Sequence, residues 1–142
     1  IINDRADIAR LSGAIGVHVG QDDLSLKQIK TVAGEATAVG VSTHSVVQLD
    51  LAVRTEVSYV AVGPVYETGT KATGYSPCSL EYVRAAAKRS LGIPIVGIGG
   101  ITLERAADVI EAGARSVAVI SDLLVGGEPA QRRRAYVERL SV

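Results

Sequence analysis

Residues 93–102 read IPIVGIGGIT, and the reading of this stretch decides the fold. A β-branched run climbs into Gly97, Gly99 and Gly100, as a buried strand does when it opens into a loop of bare backbone. Glycines there allow N–H groups to approach an anion closely. Two parallel architectures compete for such a segment. A dinucleotide-binding sheet asks for G-x-G-x-x-G between a first strand and its helix. GIGGIT, residues 97–102, lacks the last glycine and lies late in the chain. In a (β/α)8 barrel, a phosphate site is commonly formed by the loops after the last two strands. GIGGIT and SDLLVGG, residues 121–127, stand in those places. The glycines also suit tight turns with no ligand. The barrel is the expected architecture.

The rest of the chain alternates in step with that expectation. Short β-branched runs at 1–2, 14–19, 38–41, 59–62, 93–98 and 116–120 read as strands. Helical patterns fall between and after them, at about 4–11, 25–33, 45–55, 79–90, 103–112 and 129–140. Leu103, Ala106, Ala107 and Ile110 share one helix face, and Gly113 follows where a C-terminal glycine belongs. The strands are apolar almost throughout, which predicts burial on both faces and a parallel sheet of right-handed βαβ units.

Composition narrows the function classes. The 142 residues fit a single domain, and 47% apolar residues predict a genuine core. Fifteen Lys and Arg balance fifteen Asp and Glu, so no global field draws nucleic acid or an anionic membrane. No apolar run is long enough to span a bilayer. Arg132, Arg133 and Arg134, with Glu128 and Glu138 nearby, read as a solvated helix face. The lone Cys78 allows no internal disulfide and fits a reducing, cytoplasmic setting; no role is assigned to it.

Nearly every predicted strand ends in polar residues, and at the C-terminal face of a barrel that is where chemistry sits. Asn3-Asp4 follow the first run, Gln21-Asp22-Asp23 the second and Ser42-Thr43-His44 the third. Thr68, Gly69, Thr70 and Lys71 follow the fourth, and Ser121-Asp122 the sixth. Hydroxyls, a flexible glycine and one cation together read as a grip on phosphate. Taken singly, Asp4, Asp22 and Asp23 read as helix caps. Facing an anion grip, Asp4 and Asp23 read together as Mg²⁺ ligands, since that ion takes one or two carboxylates plus phosphate oxygens. His18, inside an apolar strand, reads as a core histidine, whereas His44 at a strand end is ambiguous.

The segments IINDR, GVHVGQDD, GVSTH, VGPVYETGTK, IPIVGIGGIT and VAVIS occur in an order and spacing that resemble thiamine-phosphate synthase. The resemblance runs to about residue 140. It implies a (β/α)8 barrel that joins hydroxymethylpyrimidine diphosphate to thiazole phosphate and releases pyrophosphate. It assigns Mg²⁺ to Asp4 and Asp23, and the pyrimidine diphosphate to Asn3, Ser42 and Lys71. Thr68, Gly69, Thr70, Gly100, Ile120 and Ser121 would hold the thiazole phosphate. Lys71 and Ser42 are the expected catalytic residues, acting by electrostatic stabilisation of the departing pyrophosphate.

Two departures from the family pattern shape the remaining expectations. The family's first two strands and most of the third have no counterpart here, so residues 1–142 are expected to be one partial barrel domain. They would cover the end of strand 3 through helix 8, with open sheet edges favouring self-association. The family also often carries an acidic residue soon after the lysine, where this chain has Ala72, Thr73 and Gly74. Alternatives are the related thiazole tautomerase, which shares a histidine at the position of His44, and a non-catalytic fragment that assembles with another chain. Small-molecule substrates are the expected partners, with neither nucleic acid nor membrane.

Overall fold

The computed structural model describes residues 1–70 and 74–141. Its strands are β1 (Ile2–Asn3), β2 (Gly16–Val19), β3 (Ala38–Thr43), β4 (Tyr59–Val62), β5 (Ile95–Ile98) and β6 (Ser116–Ala118). Its helices are α1 (Ala6–Ser12), α2 (Leu26–Ala33), α3 (Val46–Ala52), α4 (Ser79–Arg89), α5 (Ala106–Glu111) and α6 (Pro129–Leu140). A 3-10 segment, Ser121–Gly127, leads into α6.

Every strand pairs in parallel with its successor, so the sheet order is β1-β2-β3-β4-β5-β6. A doubly wound sheet would reverse its order at a switch point. None occurs among the described residues, and the chain winds in one direction as a barrel does. The helices pack on the sheet face that carries Val17, Val19, Val39, Val60, Val62 and Ile95. Ile29 of α2, Leu49 of α3, Val83 of α4 and Val109 of α5 are all fully buried against it.

The expected burial of both sheet faces holds for only one of them. Along β2 and β5 the residues facing the helices are buried, while His18, Val96 and Ile98 on the opposite face are partly exposed. Along β3 that opposite face carries small or polar residues, since Gly40 and Ser42 alternate with Val39 and Val41.

Local chemistry fixes the element ends. Ser25 accepts the Gln28 N–H at 3.4 Å while the Gln28 side chain returns to the Ser25 N–H at 2.9 Å, a reciprocal cap for α2. Ser45 accepts the Gln48 N–H at 3.3 Å and caps α3. Pro129 opens α6, where its missing N–H costs nothing.

Several elements are shorter than the sequence predicts, among them β2, α3, α5, β5 and β6. Helix α5 begins at Ala106 rather than at residue 103: residues 103–105 form a tight turn instead, in which the Arg105 N–H donates to Thr102 O at 3.1 Å. Strand β6 ends at Ala118 rather than at residue 120, because Ile120 leaves the extended region with ψ −76°. The basic run of α6 divides as well. Arg133 and Arg134 are exposed as expected, but Arg132 turns inward and pairs with Asp122 at 2.9 Å.

Candidate functional site

A parallel sheet brings all its strand C-termini to one edge, and here they enclose a cavity of about 430 Å³. Its wall includes Asn3 at the end of β1, Ser42 and His44 at the end of β3, and Gly63 and Pro64 after β4. Thr68, Thr70, Gly99, Gly100, Ile120 and Ser121 complete the rim. That volume suits a small organic ligand. Seven residues expected to touch substrate therefore share one wall: Asn3, Ser42, Thr68, Thr70, Gly100, Ile120 and Ser121. Gly69 lies between two of them without lining the cavity, and Lys71 lies outside the described residues.

The glycine loop owes its shape to a close fit as much as to any ligand. Val65 donates to Ile98 O at 2.9 Å and Tyr66 to Gly99 O at 3.0 Å, which ties the loop after β4 to the loop after β5. Gly99 and Gly100 have φ of 96° and 62°, a region that side chains rarely adopt. A Cβ on Gly99 would lie 2.5 Å from that of Pro64, and one on Gly100 would run into Glu67 O. The Arg105 guanidinium lies 4.7 Å over the Tyr66 ring and donates to Gly100 O at 3.4 Å. Across the rim, the Thr68 hydroxyl accepts the Thr70 N–H and donates to the Thr70 hydroxyl, both at 3.2 Å. This turn holds the two hydroxyls together.

His18 is not the core histidine the sequence predicts. It lines the cavity, with one ring nitrogen 2.8 Å from Ser42 Oγ and the other 2.8 Å from the Tyr59 hydroxyl. Strand alternation is the reason: Val17 and Val19 face the helices, so the residue between them faces away. His44 is anchored through Nδ1, which donates to Gly63 O at 2.5 Å, and its ring stacks on Tyr75 at 3.8 Å between centroids. The pairing of Ser42 with His18 was not legible in either segment alone, since it depends on strand register.

The two expected metal ligands follow neighbouring strands, β1 and β2, whose registered pairs include Asn3 with His18. Asp4 adopts a φ of 61°, and its N–H donates to His18 O at 2.8 Å. It does not cap α1, whose N-cap is Arg5 with no capping side chain. Asp23 is exposed and accepts the Gly20 N–H at 2.7 Å through Oδ2, while Ser25 performs the capping of α2. Neither carboxylate lines the cavity wall itself. Among the described residues no cluster of three or more His, Cys, Asp or Glu side chains forms a ready-made cage.

The family model for thiamine monophosphate synthase matches residues 1–123. The thiamine-phosphate synthase of Koribacter versatilis is 46% identical over 140 residues, covering 99% of this chain and 65% of that protein. The enzyme of the same name from Chlorobium luteolum is 42% identical over 137 residues, covering 96% of this chain and 64% of its own length. The solved structure of thiamine phosphate pyrophosphorylase from Pyrococcus furiosus superposes with a TM-score of 0.84 at 28% identity, covering 97% of this chain and 67% of that one. The chain thus spans a little under two thirds of the two curated relatives. Neither the tautomerase nor the non-catalytic alternative gains support from them.

Proposed function

This chain belongs to the thiamine monophosphate synthase family, and on that premise we propose that the cavity joins hydroxymethylpyrimidine diphosphate to thiazole phosphate with release of pyrophosphate. The observation that carries the reading is the shared wall of Asn3, Ser42, Thr68, Thr70, Gly100, Ile120 and Ser121. These residues come from the ends of five strands, and the family's two phosphate-bearing substrates give each of them a use. We also read residues 1–142 as the later part of an eight-stranded barrel, the end of strand 3 through helix 8, a reading supported by the coverage of the relatives.

Division of labour follows from position. The threonine turn and the bare backbone at Gly100, with Ser121 opposite, would hold the thiazole phosphate by hydrogen bonds to its oxygens. Asn3 and Ser42 would contact the pyrimidine diphosphate, with Ser42 oriented by His18. Lys71, the residue after Thr70 in the sequence, would neutralise charge on the departing pyrophosphate. Bond cleavage at the pyrimidine's exocyclic carbon sends the electron pair to the leaving oxygen, and the thiazole nitrogen then attacks that carbon. No protein nucleophile is consumed.

Asp4 and Asp23 fit Mg²⁺ in their donor chemistry. Both offer hard carboxylate oxygens, they follow adjacent strands, and neither serves as a helix cap. They would hold the ion, which would supply positive charge to stabilise the leaving group. The test is direct. The protein containing this chain is incubated with both substrates and Mg²⁺, and thiamine phosphate and pyrophosphate are quantified. Equimolar appearance of the two products is expected, and their absence from folded protein would overturn the reading.

A further inference from the structure

Asp122 is buried, with 7% of its surface exposed, although it follows the exposed Ser121 of the cavity rim. A buried carboxylate persists only if its oxygens are satisfied. Oδ2 accepts the Tyr136 hydroxyl at 2.6 Å, Arg132 Nε at 2.9 Å and the Leu103 N–H at 3.2 Å. Oδ1 accepts Arg132 Nη2 at 3.0 Å. The Tyr136 hydroxyl also lies 3.4 Å from Ile101 O. Burial acts to raise the Asp122 pKa, but these donors outweigh it and hold the group below its ordinary value.

The geometry joins three separate pieces of chain. Leu103 belongs to the loop after β5, three residues beyond Gly100. Asp122 belongs to the segment after β6, directly beyond Ser121. Arg132 and Tyr136 belong to α6. None of Asp122, Arg132 and Tyr136 lines the cavity, yet the first sits next to the cavity-lining Ser121 and is bonded to the loop that carries Gly100.

We propose that Asp122, held by Arg132 and Tyr136, is a positioning residue that sets the spacing of Gly100 and Ser121, and with it the affinity of this half of the cavity for a phosphate monoester. The inference rests on the proposed function only for the identity of that monoester. Helix α6 thereby becomes part of the binding apparatus, although it contributes no group to the ligand. The neighbouring Arg133 provides a matched control, because it carries the same charge on the same helix but is exposed.

The experiment uses the protein containing this chain and compares Asp122→Asn, Tyr136→Phe, Arg132→Gln and Arg133→Gln with the parent. Inorganic phosphate binding is measured by calorimetry, and where the protein turns over, KM is measured for each substrate. Loss of one or more charged hydrogen bonds is expected to weaken phosphate binding roughly tenfold in Asp122→Asn and Arg132→Gln, and about threefold in Tyr136→Phe. Arg133→Gln should bind like the parent. KM for thiazole phosphate should rise in parallel while KM for the pyrimidine diphosphate and kcat stay within about twofold.

If Asp122→Asn fails to fold, Tyr136→Phe, which removes only a hydroxyl, decides the matter. A lowered melting temperature with unchanged phosphate binding would overturn the proposal and leave Asp122 a stability residue. Equal rises in both KM values would overturn it too, as would a parent protein that binds no phosphate. A parent that binds phosphate but makes no thiamine phosphate refutes the proposed function alone, and the phosphate affinities of the variants still decide the role of Asp122.

Discussion

The Tyr59 ring occupies the space that a side chain at Gly40 would fill, so that a Cβ on Gly40 would overlap the phenol. The two residues face each other directly, and His18 stands opposite Gly40 on its other side, making one row across β2, β3 and β4. Because the middle position is bare, the outer two meet over it, with ring centroids 5.5 Å apart and a hydrogen bond of 2.8 Å. Gly40→Ala is therefore expected to displace Tyr59 and lower unfolding free energy by about 1–3 kcal/mol. Denaturant titration checks this, and an unchanged midpoint would show that the ring swings away freely.

The Mg²⁺ role proposed for Asp23 predicts a metal-specific effect. Asp23→Asn keeps an oxygen able to accept the Gly20 N–H, so the turn should survive. Its negative charge is lost, so turnover should fall by about tenfold or more and the Mg²⁺ concentration for half-maximal rate should rise. Rate measurements across a Mg²⁺ series test this. A rate and Mg²⁺ dependence equal to the parent would reduce Asp23 to a turn residue.

The threonine turn and the lysine beside it should separate kinetically. Thr70→Val removes a hydroxyl proposed to serve one ligand only, so KM for thiazole phosphate should rise about three- to tenfold with little effect on the pyrimidine diphosphate. Lys71→Ala should instead lower kcat by on the order of a hundredfold, since its proposed role is to neutralise charge that grows in the transition state. Two-substrate kinetics on both variants would expose the error if each change affected both substrates alike.

Cys78 supplies a pH test independent of catalysis. Burial pushes its thiol from an ordinary 9.0 up to about 11. The thiolate is the reactive form, so at pH 8 its population falls about a hundredfold relative to an unburied thiol. Alkylation of the native protein should be slower than that of the unfolded chain by about that factor. Its rate should climb about tenfold per pH unit until near the raised value. Rapid labelling at pH 8 without unfolding would contradict the assigned burial.

By itself the sequence determined the parallel alternation and the glycine loops, because each depends on residues close together in the chain. β-branched runs and left-handed glycines act within a few residues, so Gly113 announces its structure locally. The rim residues Asn3, Ser42, Thr68, Thr70, Gly100 and Ser121 were legible for the related reason that parallel strands bring all their C-terminal ends to one edge. What only the tertiary structure decided is how residues on different strands and helices meet. His18 became a partner of Ser42 and Tyr59, rather than a core residue, through a register spanning three strands and a glycine that leaves room between them. Arg132 left the solvated face because Asp122, ten positions earlier, is buried where only a fully bonded carboxylate can remain, and that requirement arises once the loop after β5 and helix α6 close around it.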